Sequence, residues 1–178
     1  MPTPTPTLDA LTGDYVLDTG RTRIGFVARH ALSTRVRGHF DDFEGRAHLD
    51  GADPARSHVR LAVRADSIRT GNPRRDEHLC ATFLHVPEFP ALEFGSTEVR
   101  QTGATRFAVT GDLTIRSVTR PVTLDLELTE GGDGHRVGLR GGVTVDRNAW
   151  GVNWNAATRF MVSPKVRLEL DVALLPLG

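Results

Sequence analysis

The sequence has few of the residues that a metal site, a disulfide or a membrane-spanning helix would need. It has one cysteine, Cys80, so an intrachain disulfide is impossible and a structural zinc site lacks ligands. No apolar run approaches the roughly 20 residues that a membrane-spanning helix needs. Lysine plus arginine and aspartate plus glutamate both number 22, giving a formal net charge of zero. We therefore expect no metal, no membrane span and no global attraction to nucleic acid.

The motifs of common enzyme classes are also missing. We find no Gly-x-Ser-x-Gly nucleophile elbow, no Gly-x-Gly-x-x-Gly turn and no phosphate loop. The paired carboxylates Asp41-Asp42 and Asp76-Glu77 are explained by a strand bend and by a helix start. The sequence thus predicts a protein without a cofactor and without catalytic chemistry of its own.

The N-terminus alternates proline and threonine over residues 2–7, with no basic start, no apolar segment and no small-residue cleavage site. We interpret residues 1–13 as a disordered tail and residues 14–178 as one domain, and we expect a cytoplasmic location.

Strict alternation of apolar and polar residues is the main structural signal. In residues 120–130, leucines and valines at even positions alternate with polar residues at odd positions, which is the period of a half-buried strand. Similar stretches recur to residue 174 with short connections. This pattern predicts an all-β protein, an antiparallel barrel of about eight strands, whose interior is either packed or open to a ligand.

Two places interrupt the alternation. The apolar phase slips at Asp41-Asp42, which predicts a β-bulge that bends the strand around a barrel corner. Residues 72–79 begin with Asn72, Pro73 and an acidic first turn, which predicts one short helix after the fourth strand. Two irregular aromatic segments, residues 83–89 and 150–160, are expected to fold over a mouth or edge of the barrel.

Several short segments, in order, resemble the YceI-like family of bacterial lipid-binding proteins. They are LD at 17–18, IGFVARH at 24–30, VRGHFDDF at 36–43, DEHL at 76–79, FPALEF at 89–94, GDLTI at 111–115 and VTRP at 118–121. The resemblance covers residues 14–174. It implies a lipocalin-like extended barrel that encloses an apolar channel for a long isoprenoid or fatty-acyl chain, often in a homodimer. Many relatives act in the periplasm after a signal peptide, which this N-terminus does not support.

A channel for an apolar chain requires large apolar side chains, and the aromatic residues are the candidates for its lining. Those on irregular segments are favoured at the mouth, because functional residues concentrate on loops. The alternative is that the aromatics fill the core of a packed scaffold. The candidate ligand-binding aromatics are Phe26, Phe40, Phe43, Phe83, Phe89, Phe94, Trp150, Trp154 and Phe160.

Polar candidates are few. His30 lies on the apolar side of its strand, where it could bind a lipid head group or be satisfied within the core. The alternative hypothesis is an enzyme that acts on a lipidic substrate through His30 and a carboxylate. Arg69, Arg74 and Arg75 cluster at the helix start and are head-group candidates. Apolar residues on outward positions, such as Val27 and Ala62, together with the resemblance, favour a homodimer.

Overall fold

The computed structural model describes residues 8–30, 35–84, 86–131, 136–152 and 162–177. Within them, eleven strand segments form one antiparallel sheet. They are β1 Gly13–Leu17, β2 Arg23–His30, β3 Arg35–Phe40, β4 Phe43–Leu49, β5 His58–Arg64, β6 Ile68–Arg69, β7 Ala91–Gln101, β8 Arg106–Ile115, β9 Val118–Glu130, β10 Val137–Asp146 and β11 Val162–Pro176.

The sheet closes into a barrel of eight strands, as the alternation predicted. The ring runs β1-β4-β5-β7-β8-β9-β10-β11, and β11 pairs again with β1. β2 follows β1 along the same edge of β11, since β1 pairs with residues 174–176 and β2 with residues 162–171. β4 pairs with β1 and β3 pairs with β2, so β1 and β2 together form one bent strand of the barrel, and β3 and β4 form the next.

The inward phase of each strand forms the core. In β9, Val122, Leu124 and Leu128 are buried while Thr123 and Asp125 are exposed, in agreement with the predicted alternation. The predicted phase slip lies between β3 and β4, where the strand breaks rather than bulges. There the Asp41 amide donates to the Ser67 carbonyl at 3.1 Å and the Arg64 amide to the Asp42 carbonyl at 2.9 Å.

The predicted helix is α1, Pro73–His78, which follows β6 and continues into one π-helical turn, Leu79–Phe83. The Asn72 side chain caps α1 by accepting hydrogen bonds from the Arg74 and Arg75 amides at 3.1 and 3.2 Å. α1, the hairpin between β8 and β9 and the 3₁₀ turn Arg147–Trp150 lie at one end of the barrel, here called the helix end.

The opposite end of the barrel, here called the open end, carries the loop of residues 50–57 and the 3₁₀ turn Leu8–Leu11. This turn lies inside the segment 1–13 that the sequence predicted as a disordered tail. Leu11 is buried against the barrel, which explains why the chain is ordered there.

Candidate functional site

A cavity extends from the open end into the middle of the barrel. The cavity has a volume of about 130 Å³ and opens at its mouth into solvent, with about 1080 Å³ of atom-free space in all. A single water needs only about 10–15 Å³, so the cavity is far larger than a packing defect. The barrel is therefore not a solid packed scaffold.

The inner wall of this cavity is built from inward-facing apolar residues of eight strands, mostly aliphatic, together with the N-terminal turn. Each strand contributes alternate residues, as the period of two requires. The apolar lining residues are Leu8, Leu11, Leu17, Ala47, Leu49, Val59, Leu61, Phe94, Val99, Phe107, Val109, Leu124, Leu126, Leu128, Val137, Leu139, Leu170, Val172 and Leu174.

Nearly all of the accessible wall is carbon. Arg46 and Arg60 border the cavity, yet they stand opposite each other on outward positions of β4 and β5 and are exposed. Such a wall provides almost no hydrogen-bonding groups for a polar molecule. It favours a hydrocarbon, because each methylene removed from water contributes about 0.8 kcal/mol.

The mouth of the cavity is held by hydrogen bonds between the N-terminal turn and the loop of residues 50–57. The Tyr15 hydroxyl donates to the Leu11 carbonyl at 2.8 Å, and burial raises the pKa of this phenol. The Gly51 amide donates to Thr12 Oγ1 at 2.9 Å. Within the loop, the Asp50 amide donates to Ser57 Oγ at 2.9 Å. These contacts connect the N-terminal turn, β1 and the loop at the mouth of the cavity.

At the helix end, the described side chains are packed together. The Trp150 side chain is 3% exposed, and its Nε1 donates to the Leu113 carbonyl at 2.9 Å. Ala65, Ile68 and Leu84 form a second buried cluster beside it. Leu84, in the segment 83–89, is buried in this cluster with Val86 packed against it, and the expectation that the whole segment folds over a mouth or edge stays a prediction.

The predicted aromatic residues do not converge on one site. Phe94 lines the cavity, and Phe43 is buried in the core at its side. Phe26 and Phe40 contact each other towards the helix end, with ring centroids 5.9 Å apart. Phe89 is half-buried.

Four of the predicted residues are not described at side-chain level. The backbone of His30 pairs with Val162, but nothing is described of the side chains of His30 and Phe83. Trp154 and Phe160 lie outside the described residues. A contribution of these four side chains to ligand binding stays a prediction.

Arg69 and Arg75 near α1 have partners close by, and none of the three candidate arginines lines the cavity. Arg69 Nε lies 3.4 Å from Asp41 Oδ2. Arg75 donates to Thr70 Oγ1 at 2.8 Å and to the Thr70 carbonyl at 2.7 Å. Arg74 is exposed on the surface of α1. These contacts support the helix start, and a head-group role for the three arginines is untested.

The lining residues that sequence reasoning missed are Phe107 and the aliphatic residues of the cavity wall. Leu126, Leu139, Leu170 and Val172 occupy inward positions yet are only half-buried, because they face open space instead of packed neighbours. Their inward phase was visible in the sequence. What the sequence does not reveal is which inward residues lack a partner across the barrel.

Neither a metal-ligand cluster nor a membrane-spanning helix is present among the described residues. No group of three or more His, Cys, Asp or Glu side chains is arranged to hold a metal ion there. None of the described helices has the length and hydropathy needed to cross a membrane.

Comparison with known proteins identifies close relatives. The model of the YceI-like domain matches residues 15–174. A UPF0312 protein of Yersinia pestis (strain Pestoides F) is 34% identical over 167 residues, covering 92% of this chain and 86% of the relative. A UPF0312 protein of Pseudomonas savastanoi pv. phaseolicola is 33% identical over 171 residues, with the same coverage of 92% and 86%.

Solved structures share the fold at lower sequence identity. BcnA of Burkholderia cenocepacia superimposes with a TM-score of 0.82 at 18% identity, over 88% of this chain and 98% of BcnA. A polyisoprenoid binding domain from Saccharophagus degradans, implicated in plant cell wall breakdown, gives 0.71 at 13% identity, over 91% and 98% of the two chains.

Proposed function

This chain belongs to the YceI-like family, and we propose that it binds a long apolar lipid, an isoprenoid or a fatty-acyl chain, inside its barrel. It carries or stores this lipid and performs no chemistry on it. The observation that carries the proposal is the cavity wall, which is almost entirely carbon from the mouth to the middle of the barrel. The description of the Saccharophagus neighbour as polyisoprenoid-binding supports the choice of ligand class.

Non-catalytic binding fits the wall better than the enzyme alternative does. The described lining contains no histidine, and its one carboxylate residue, Asp50, uses its side chain at the rim to accept from the Ala52 and Asp53 amides. Turnover of a lipid substrate that is lost in His30→Ala, with folding and binding intact, would instead establish the enzyme.

The direct test is to identify the lipid that the protein holds. The protein is purified from its own host without detergent, examined by native mass spectrometry, and extracted with organic solvent. We expect a bound species whose mass is that of a long isoprenoid or acyl lipid. An apolar fluorophore in the refolded, lipid-free protein should be displaced by long-chain isoprenoids and not by short ones.

A pair of tryptophan substitutions on β9 tests whether the lipid binds inside or outside the barrel. Leu126→Trp fills part of the cavity and should weaken lipid binding at least about tenfold, because the displaced methylenes each contribute about 0.8 kcal/mol. Thr123→Trp adds the same side chain at an exposed outward position and should bind normally. Equal affinity in the two variants would contradict binding in the cavity.

The homodimer and the cytoplasmic location stay predictions. Val27 and Ala62, which suggested an interface, lie on β2 and β5 and do not form one continuous patch. Light scattering at micromolar concentration tests the dimer, for which a molar mass of twice 19.4 kDa is expected. The mass of a single chain, unchanged by lipid, would exclude the dimer and leave lipid binding intact. Fractionation of host cells tests the location.

A further inference from the structure

The outer surface of β10, β11, β2 and β3 is rich in arginine. These four strands are neighbours in the barrel, and their outward positions bring six exposed guanidinium groups onto one face, here called the arginine face. Its arginines are Arg23, Arg29, Arg35, Arg37, Arg140 and Arg167.

Only part of this positive charge is neutralised. Glu169 lies 3.8 Å from Arg37, and Asp171 lies 3.2 Å from Arg140. Among the described residues, no carboxylate lies within ion-pair distance of the other four arginines, Arg23, Arg29, Arg35 and Arg167. Six arginines against two carboxylates leave a charge of +4.

Two of the unpaired arginines stand directly opposite each other. Arg29 and Arg35 are cross-strand partners in the register of β2 and β3. Like charges in this relation are destabilising, so the pair lowers the stability of the isolated hairpin. An external anion would relieve this repulsion, which points to a ligand that the barrel itself does not supply.

The centre of the arginine face is concave. A groove of about 430 Å³ lies there, lined by Arg23, Arg37, Arg140 and Arg167 and by the carboxylates of Glu169 and Asp171, which pair with Arg37 and Arg140. Gly25, an outward residue of β2 without a side chain, leaves room for a head group in this groove. Arginine forks match the geometry of phosphate oxygens.

The arginine face and the remainder of the molecule carry opposite net charges. The formal net charge of the chain is zero, so a charge of +4 here leaves −4 on the remainder. This uneven distribution of charge orients the protein near a negatively charged surface, because the arginine face is attracted to that surface and the remainder is repelled.

We propose that the arginine face docks the barrel on the surface of an anionic lipid bilayer, with phosphate head groups held by the unpaired arginines. This inference goes beyond the proposed function, because docking uses the outer wall and not the cavity. A nucleic acid fits less well, since the described outward positions of the four strands include no tryptophan, tyrosine or phenylalanine on which a base could stack.

The test is sedimentation of the full-length protein with lipid vesicles. We expect binding to vesicles that mix phosphatidylcholine with phosphatidylglycerol, little binding to phosphatidylcholine alone, and loss of binding at high salt. The double variant Arg35→Gln/Arg167→Gln should bind about 25-fold more weakly, because each basic residue near an anionic surface contributes about a factor of five. Arg35→Lys/Arg167→Lys keeps the charge and should retain most of the binding.

The matched control removes two arginines across the barrel. Arg100→Gln/Arg106→Gln changes the net charge equally on β7 and β8 and should bind the mixed vesicles as the native protein does. Both glutamine variants should fold normally by circular dichroism. In both, long-chain isoprenoids should displace the fluorophore from the cavity as they do in the native protein, which separates this proposal from the proposed function.

Four outcomes would overturn the docking proposal. The first is the absence of binding to the mixed vesicles at low salt. The second is an equal loss of binding in the control variant, which would show a response to net charge alone. The third is binding to single-stranded DNA without binding to vesicles. Self-association of Arg35→Gln/Arg167→Gln with unchanged vesicle binding would also count against docking and would show that the charges protect the edge of β3.

Discussion

At the scale of single residues, Tyr15 links the N-terminal turn to the barrel and provides a titration probe, because it is the only tyrosine. Its folded-state pKa is raised by burial. The folded phenol therefore holds its proton more tightly than the unfolded one, and the associated stability is complete below the unfolded pKa of about 10. That stability is lost as the pH rises through the higher pKa of the folded state.

Tyr15→Phe should remove this pH dependence and, at neutral pH, lower the free energy of unfolding by about 1 kcal/mol through loss of the bond to the Leu11 carbonyl. Urea unfolding of both proteins at neutral and high pH measures the two effects, and tyrosinate absorbance follows the phenol directly. A folded-state pKa at or below that of the unfolded chain would contradict the assignment.

Cys80 is expected to be a slow nucleophile. Its thiol is half-buried, and its pKa is raised first by this burial and then by the carboxylates of Asp66 and Asp76, against the opposing charge of Arg69. Because the thiolate is the reactive form, the native protein should react more slowly with a disulfide reagent at neutral pH than the urea-unfolded chain does. Equal rates in the two states would show that the thiol is neither shielded nor shifted.

Alternation in the sequence predicts which side chains point inward, but it does not predict which inward residues border open space. The alternation correctly assigned Leu124 and Leu128 to the interior. Selecting the lining by aromatic character found Phe94, but it also chose Trp150, which packs at the helix end. Large rings bury the most area and so fill space, whereas the cavity remains where aliphatic residues such as Leu126 meet no partner across the barrel.

At the scale of elements, a close backbone approach requires glycine in β10. An added Cβ at Gly141 would collide with the carbonyl oxygen of Asp125 on β9, whereas an added Cβ at Gly95 on β7 would have nothing within 4 Å. Gly141→Ala should therefore lower the free energy of unfolding by about 1–3 kcal/mol or more, as expected for overpacking against a rigid neighbour. Gly95→Ala is the matched control and should be nearly neutral. Equal denaturation midpoints would show that β9 and β10 separate easily.

The elements themselves followed closely from local patterns. The capping residue Asn72 and the following proline predicted α1, and both roles are present in the structure. The phase slip at Asp41-Asp42 predicted a corner, which the structure makes by ending β3 and starting β4. Local patterns do not show that β2 and β3 extend the wall of the barrel. This arrangement depends on the pairing of β2 with β11, which is distant from it in sequence.

At the scale of the whole molecule, the cavity and the arginine face lie on the two sides of one wall. Leu170 of β11 borders both the cavity and the outer groove. A barrel docked through this wall would hold its lipid within one layer of side chains of the head groups. The inside and outside of the same strands thus serve different chemistries, which the alternation of side chains permits.

Lipid binding should stabilise the whole barrel, because a ligand that occupies the cavity binds the folded state and not the unfolded chain. At a free ligand concentration of about 100 times Kd, the gain is about 2.7 kcal/mol. For a domain of this size, each kcal/mol raises the melting temperature by about 2–4 °C, so the lipid-loaded protein should melt roughly 5–10 °C above the lipid-free protein.

The cavity-filled Leu126→Trp variant provides the discriminating comparison in scanning calorimetry. It should fold, yet gain much less in melting temperature from the same lipid, whereas Thr123→Trp should gain as much as the native protein. If all three proteins gained equally, the lipid would have to stabilise the barrel from outside. The stabilisation would then be assigned to the arginine face, and Arg35→Gln/Arg167→Gln should abolish it for an anionic lipid.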